Sequence, residues 1–258
     1  MGYIAALFIG VSLGLIGGGG SILTVPVLVY LFGISPILAT SYSLFVVGTT
    51  SLAGSVNSYR KGLVDVRTAL LFGMSSVLTS FLIRKMVIAE IPEIVELGSF
   101  TFLFSSITMI SFALLMLVAA FSMIRSPVVL QETSPSSRSP GLLLLYGIGI
   151  GLVTGFLGAG GGFLLIPVLV LLLKIPMKTA VGTSLLIIAL NSTAGFIGDA
   201  GHFETDWTFL IQVSAIAIAG VLAGDLLSKR IQGEKLKKGF GYFVMLMGIC
   251  IIIKELLS

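Results

Sequence analysis

The chain has 258 residues, 56% of them apolar and only 10% charged, with a mean hydropathy of +1.14. Soluble globular chains carry about 25% charged residues, so the composition excludes a soluble domain and predicts an integral membrane protein with little mass outside the bilayer. The net charge of +4 comes from basic residues flanking apolar runs, not from a nucleic-acid patch, and the single cysteine, Cys250, excludes an intramolecular disulfide or a multi-cysteine metal site.

The first apolar segment runs from about Gly2 to Phe32 and is interrupted by Gly17-Gly18-Gly19-Gly20-Ser21. A second helix is predicted from about Pro36 to Ser58, ending at Arg60-Lys61, and a third from about Val66 to Ile83, ending at Arg84-Lys85. After the acidic stretch Glu90, Glu93 and Glu96, a fourth helix is expected from about Ser99 to Ile124. Residues 125–140 are rich in Ser, Pro, Gln, Glu and Arg, a composition that cannot bury a core and reads as a solvated linker. The pattern then restarts. Gly141 to Leu173 carries a second break, Gly158-Ala159-Gly160-Gly161-Gly162, followed by segments over Met177–Ile197, Asp206–Leu227 and about Phe240–Leu257. Met1-Gly2-Tyr3-Ile4 lacks the basic start of a cleaved signal peptide.

The restart is an internal repeat. One constant offset places Gly14 on Gly155, Gly17 on Gly158 and Pro26-Val27-Leu28-Val29 on Pro167-Val168-Leu169-Val170. It also places Ser43-Leu44 on Ser184-Leu185 and Asp65 on Asp206. The expected organisation is therefore a first transmembrane repeat (1–124), a linker (125–140) and a second repeat (141–258).

Charge sets the expected orientation. The loop after the second helix holds Arg60, Lys61 and Arg67, whereas its repeat-mate holds Asp199, Glu204 and Asp206. Cytoplasmic loops carry the Lys/Arg excess, so the halves are expected to be inverted. Inversion needs an odd number of crossings per half. The pieces 2–16 and 21–32 would be roughly 22 and 18 Å long against a hydrocarbon core of about 30 Å. A hairpin of two half-helices plus three full helices per half meets that parity; one long kinked helix per break, with parallel halves, does not.

Broken membrane helices in corresponding positions of two halves point to a transporter-type binding site. Gly18, Gly19, Gly20 and Ser21, with Gly160, Gly161 and Gly162, are expected to present main-chain N–H groups to an anion at a helix start. Pro26 and Pro167 follow as hinge positions. Ser41, Tyr42, Ser43, Thr183, Ser184 and Asn191 add neutral donors in the next helix; helix-to-helix hydrogen bonding is their alternative role. The pairs Gly10/Gly14 and Gly151/Gly155 read as close-packing positions, and Asp65 and Asp206 as helix caps. No ionisable residue falls in the middle of a predicted span, and no nucleophile–base arrangement points to an enzyme or a cofactor.

The paired breaks with downstream Val25-Pro26-Val27-Leu28 and Ile166-Pro167-Val168-Leu169, followed by Ala180-Val181-Gly182-Thr183-Ser184-Leu185, resemble the sulfite exporter TauE/SafE family. The resemblance implies a multi-pass protein of a bacterial inner membrane that exports sulfur-containing anions, such as sulfite or organosulfonates like sulfoacetate. The chain departs from that pattern at Ser41, in place of glycine, and at Tyr42, in place of threonine, which would re-line one side of the site. Transport of another organic anion, an anion channel and a cargo-free scaffold stay open as alternatives.

Overall fold

The computed structural model describes residues 2–86, 94–97, 100–125, 139–157, 162–199, 205–228, 231 and 233–257. They are overwhelmingly helical. Helices α1 (Gly2–Ile16) and α2 (Gly19–Phe32) flank the first break, followed by α3 (Pro36–Arg60), α4 (Val66–Met86) and α5 (Phe104–Arg125). In the second half α6 (Pro140–Leu157) and α7 (Gly162–Pro167) flank the second break, followed by α8 (Met177–Asp199), α9 (Trp207–Ser228) and α10 (Gly233–Leu257). Among the described residues α3, α4 up to Ile83, α8 and α9 are long and apolar enough to cross a membrane. Residues 126–138 of the expected linker and the break residues Gly158, Ala159, Gly160 and Gly161 lie outside the described residues.

Two boundaries differ from expectation. The fourth helix starts at Phe104, because β1 (Ile94–Leu97) and β2 (Phe100–Leu103) form a short antiparallel ribbon in which Ile94 pairs with Leu103. The alternation of β-branched and aromatic residues there favours a pleated segment over a helical start. The last helix begins at Gly233, so Lys235 and Lys238 belong to its first turns, where Lys238 pairs with Glu234 at 3.2 Å.

The first break is a tight helical hairpin, not a kinked single helix. A methyl group built on Gly2, at the start of α1, would touch the Phe32 ring at the end of α2, and one built on Gly20 would lie 2.3 Å from the Ile9 carbonyl oxygen. The two helices therefore run antiparallel, and each is shorter than the roughly 30 Å hydrocarbon layer. Gly33 ends α2 in the left-handed region (φ 70°), its N–H returning to the Leu28 carbonyl. On the other side of the repeat, Leu143 and Ile150 of α6 share one core cluster with Leu165 of α7 and with Leu169 and Leu173. Pro26 stays within an α-helical run, whereas after Pro167 the helix widens into a π-helical turn, Val168–Leu172. The missing N–H of a proline is one of the causes of such a local change.

The two halves interlock. Helix α1 packs on α9, and α6 on α4, through glycines that let main chains meet. A methyl on Gly10 would stand 2.0 Å from the Ala217 carbonyl oxygen and one on Gly14 2.1 Å from that of Val221. At the repeat-equivalent positions Gly151 faces the Ser76 carbonyl oxygen at 2.6 Å and Gly155 that of Ser80 at 3.2 Å. At the centre α3 crosses α8: Ser41 meets Asp199, Gly48 meets Ser192, Gly54 meets Leu185 and Gly182 meets Ser58. Residue numbers rise along one helix as they fall along the other, so these repeat-mates run antiparallel.

Candidate functional site

The two breaks meet. A methyl on Gly18 would lie 1.8 Å from the Gly162 carbonyl oxygen, and one on Gly162 would lie 2.9 Å from both the Gly18 carbonyl oxygen and Ser21 Oγ. Only residues without side chains allow main chain from each half to approach this closely. Gly17 makes the turn between α1 and α2 at φ 80°, against Ser184 Oγ and the Val181 carbonyl oxygen of α8. Gly17, Gly18, Ser21, Gly162 and Ser184 thus come together in one place. The hydroxyls of Ser21 and Ser184 each donate to a local carbonyl, Gly18 and Val181, both at 2.8 Å. Gly19 and Gly20 form the first residues of α2.

Three of the predicted donors have other partners. Thr183 Oγ1 accepts from the Asp65 N–H at 2.9 Å, and at the repeat-equivalent place Tyr42 Oη accepts from the Asp206 N–H at 2.8 Å. Ser41 Oγ donates to the Asp199 carboxylate. These bonds tie helices of opposite halves, the alternative role foreseen for such residues. Asp65 and Asp206 cap their helices, accepting from the Thr68 N–H at 3.1 Å and the Phe209 N–H at 3.0 Å. The Tyr42 ring also packs beside Phe209, which meets Phe32 edge-on with a 5.0 Å ring separation, so the replacement of threonine by Tyr42 builds aromatic packing at that end.

Deeper along α3 and α8 lies a set of buried polar atoms. Ser43 Oγ, Ser51 Oγ, Ser192 Oγ and Asn191 Oδ1 meet no hydrogen-bond partner among the described residues, while Asn191 Nδ2 donates to Ser76 Oγ at 2.7 Å. Ser51 and Ser192 are repeat-mates, and Ser192 packs on Gly48, one turn before Ser51. A buried polar group left without a partner costs about 1–3 kcal/mol.

The end of the molecule holding Lys61 contains an arrangement that reading along the chain does not reveal. Asp225 of α9 accepts from Lys61 Nζ, at the end of α3, and from Asn57 Nδ2 at 2.8 Å. In sequence Asp225 reads as belonging to the Lys229-Arg230 end of its own helix. The pairing with Lys61 has no local signal, since the two residues lie in different halves.

With this geometry in hand, comparison with known proteins gives consistent matches. The profile described as "Sulfite exporter TauE/SafE" matches residues 3–251. A "probable membrane transporter protein" of Xylella fastidiosa (strain 9a5c) is 30% identical over 261 residues, covering 95% of this chain and 91% of its own. Two Bacillus subtilis (strain 168) proteins of the same description are also similar. YunE is 26% identical and covered end to end with this chain, and YdhB is 27% identical over 86% of each chain. No solved structure gives a significant match.

Proposed function

Because the chain belongs to the sulfite exporter TauE/SafE family of membrane transporters, we propose that it exports small sulfur-containing anions, such as sulfite or organosulfonates, from a bacterial cell by alternating access between two inverted repeats. The observation that carries this reading is the meeting of Gly18 with Gly162, one break from each half, on main chain alone. Helix starts exposing N–H groups suit an anion, and the neighbouring neutral donors of Ser21, Ser43, Ser184 and Asn191 suit one that must bind and then leave. Pro26 and Pro167 are the hinges on which the return helices would move. The antiparallel crossing of repeat-mates α3 and α8 supports the inverted arrangement, since a two-fold axis lying in the membrane plane produces that crossing.

Proteoliposomes containing the purified chain test the cargo. Sulfite or sulfoacetate trapped inside should leave faster than from empty liposomes, with acetate much slower. Efflux of plain carboxylates with no movement of either sulfur anion would assign a different organic anion, and no efflux of any anion would remove transport of this class.

A further inference from the structure

A cavity of ≈ 90 Å³ opens between the ends of α1, α3 and α9 and the start of α8. Gly14, Ser58, Lys61, Lys178, Asp225 and Ser228 line it. Val181 also lines it, and Val181 is the residue whose carbonyl oxygen faces Gly17. The cavity therefore lies beside the residue that packs on the first glycine break. Two ammonium groups border it, and one of them, Lys61, is held by the Asp225 carboxylate from the opposite half. Asn57 holds the same carboxylate oxygen, so Asp225 is positioned from two sides.

The repeat-equivalent place at the other end of the molecule is chemically different. By the offset that relates the two halves, Ser58 falls on Asp199, Lys178 on Ile37, Lys61 on His202 and Asp225 on Arg84, and the Asp199 carboxylate is tied to Ser41. The Lys178 ammonium and the Lys61–Asp225 pair therefore have no identical counterpart in the other half. The asymmetry is built on a frame whose packing otherwise repeats, from Gly10 and Gly151 to Thr183 and Tyr42.

We propose that this cavity is an anion-binding vestibule and that the Lys61–Asp225 ion pair is its latch. An ammonium has three N–H donors, and Lys61, whose side chain is only 26% exposed, uses one on Asp225. A small oxyanion or sulfonate entering beside Lys178 competes with the carboxylate for Lys61. Releasing Asp225 loosens the tie between α3 and α9, the two helices that belong to different halves at this end. The inference rests on the anion-transport reading and extends it by giving the anion an entry site and a contact that its arrival breaks.

The test uses the full chain in detergent, with Cys250→Ala removing the native thiol and Ser228→Cys placing one in the vestibule. The rates of reaction with an anionic sulfonatoethyl and a cationic trimethylammonioethyl methanethiosulfonate report the local potential. Sulfoacetate serves as the protecting anion, because sulfite would consume the reagents. Asp225→Asn should raise the anionic-to-cationic rate ratio about tenfold and strengthen sulfoacetate protection, while Lys61→Gln should lower the ratio by a similar factor, as expected for one charge at a largely buried site. Lys178→Gln, which leaves the latch intact, should also lower it and keeps the test informative if either latch variant misfolds. Changes of the same sign in the two latch variants, or an absence of sulfoacetate protection, overturn the vestibule. Sulfoacetate that is transported but does not protect removes the vestibule and leaves the cargo reading standing. Protection without transport does the reverse.

Discussion

The main-chain N–H of Asp65 donates to Thr183 Oγ1 at 2.9 Å, across the boundary between the two halves of the chain. The same relation recurs between Asp206 and Tyr42, with the roles of the halves exchanged. Each half thus fixes the start of a long helix of the other, α4 or α9, by accepting a hydrogen bond from the residue that caps it. Thr183 still has its hydroxyl proton to donate, so a tie between helices and a contact to a ligand are compatible uses of the same side chain.

Thr183→Val should therefore lower stability. The Asp65 N–H loses its acceptor, at a cost of about 1–3 kcal/mol. That corresponds to a drop of several degrees in thermal melting of the purified protein, and Thr183→Ser, which keeps the oxygen, should restore most of it. Equal melting of the valine and serine variants would show that the bond does not contribute.

Gly18→Ala should separate the two breaks. The added methyl has no space against the Gly162 carbonyl oxygen, 1.8 Å away, and that atom is main chain that cannot rotate aside. Anion binding should be lost while membrane insertion and helix content are kept, as read by sulfoacetate thermal shift alongside circular dichroism. Retained binding in a folded Gly18→Ala protein would mean that the contact between the breaks is structural only.

Gly10→Val and Gly151→Val should cost a similar amount, because they occupy repeat-equivalent seams on α9 and α4. Overpacking of this kind costs roughly 1–3 kcal/mol. Loss of expression and melting temperature should be comparable for the two, without a selective effect on anion affinity in whatever protein survives. A large loss in one and none in the other would break the equivalence of the two packing faces.

The inverted arrangement predicts that the Arg60-Lys61 turn and the Lys235–Lys238 region lie inside, with Glu93 and Glu204 outside. Single cysteines at Arg60 and Glu204, on a Cys250→Ala background, should react from opposite sides with an impermeant thiol reagent in intact cells. Labelling of both from the same side would exclude inversion.

Export should follow the membrane potential. Moving one negative charge out of a negative-inside compartment is favoured by about 2.3 kcal/mol per 100 mV, and sequence offers no carboxylate or histidine in the middle of a predicted span to carry a proton. A valinomycin potential that is negative on the loaded side should accelerate anion efflux from proteoliposomes. Efflux that ignores the potential and follows a proton or sodium gradient would instead direct attention to Asp225.

The amino-acid sequence by itself determined that the chain is a helical membrane protein, that it repeats, and that both copies break at glycines. Composition and spacing carry those properties, because a run of apolar residues must satisfy its own backbone bonds and a run of glycines weakens a helix. The close-packing role of Gly10, Gly14, Gly151 and Gly155 was legible in the same way, as was capping by Asp65 and Asp206, since these are local or periodic signals. The partners were not. That α1 lies on α9, that Thr183 receives the Asp65 N–H, and that Lys61 meets Asp225 follow from how two interlocked halves fold over one another. The ribbon at Ile94–Leu103 and the π-helical turn after Pro167 were likewise decided in three dimensions. Side-chain hydroxyls are the extreme case. Ser41 and Ser43 are near neighbours on one helix, yet one reaches a carboxylate from the other half while the other is buried without a partner among the described residues. A hydrogen bond depends on which surface each side chain faces, and only the crossing of α3 with α8 sets that.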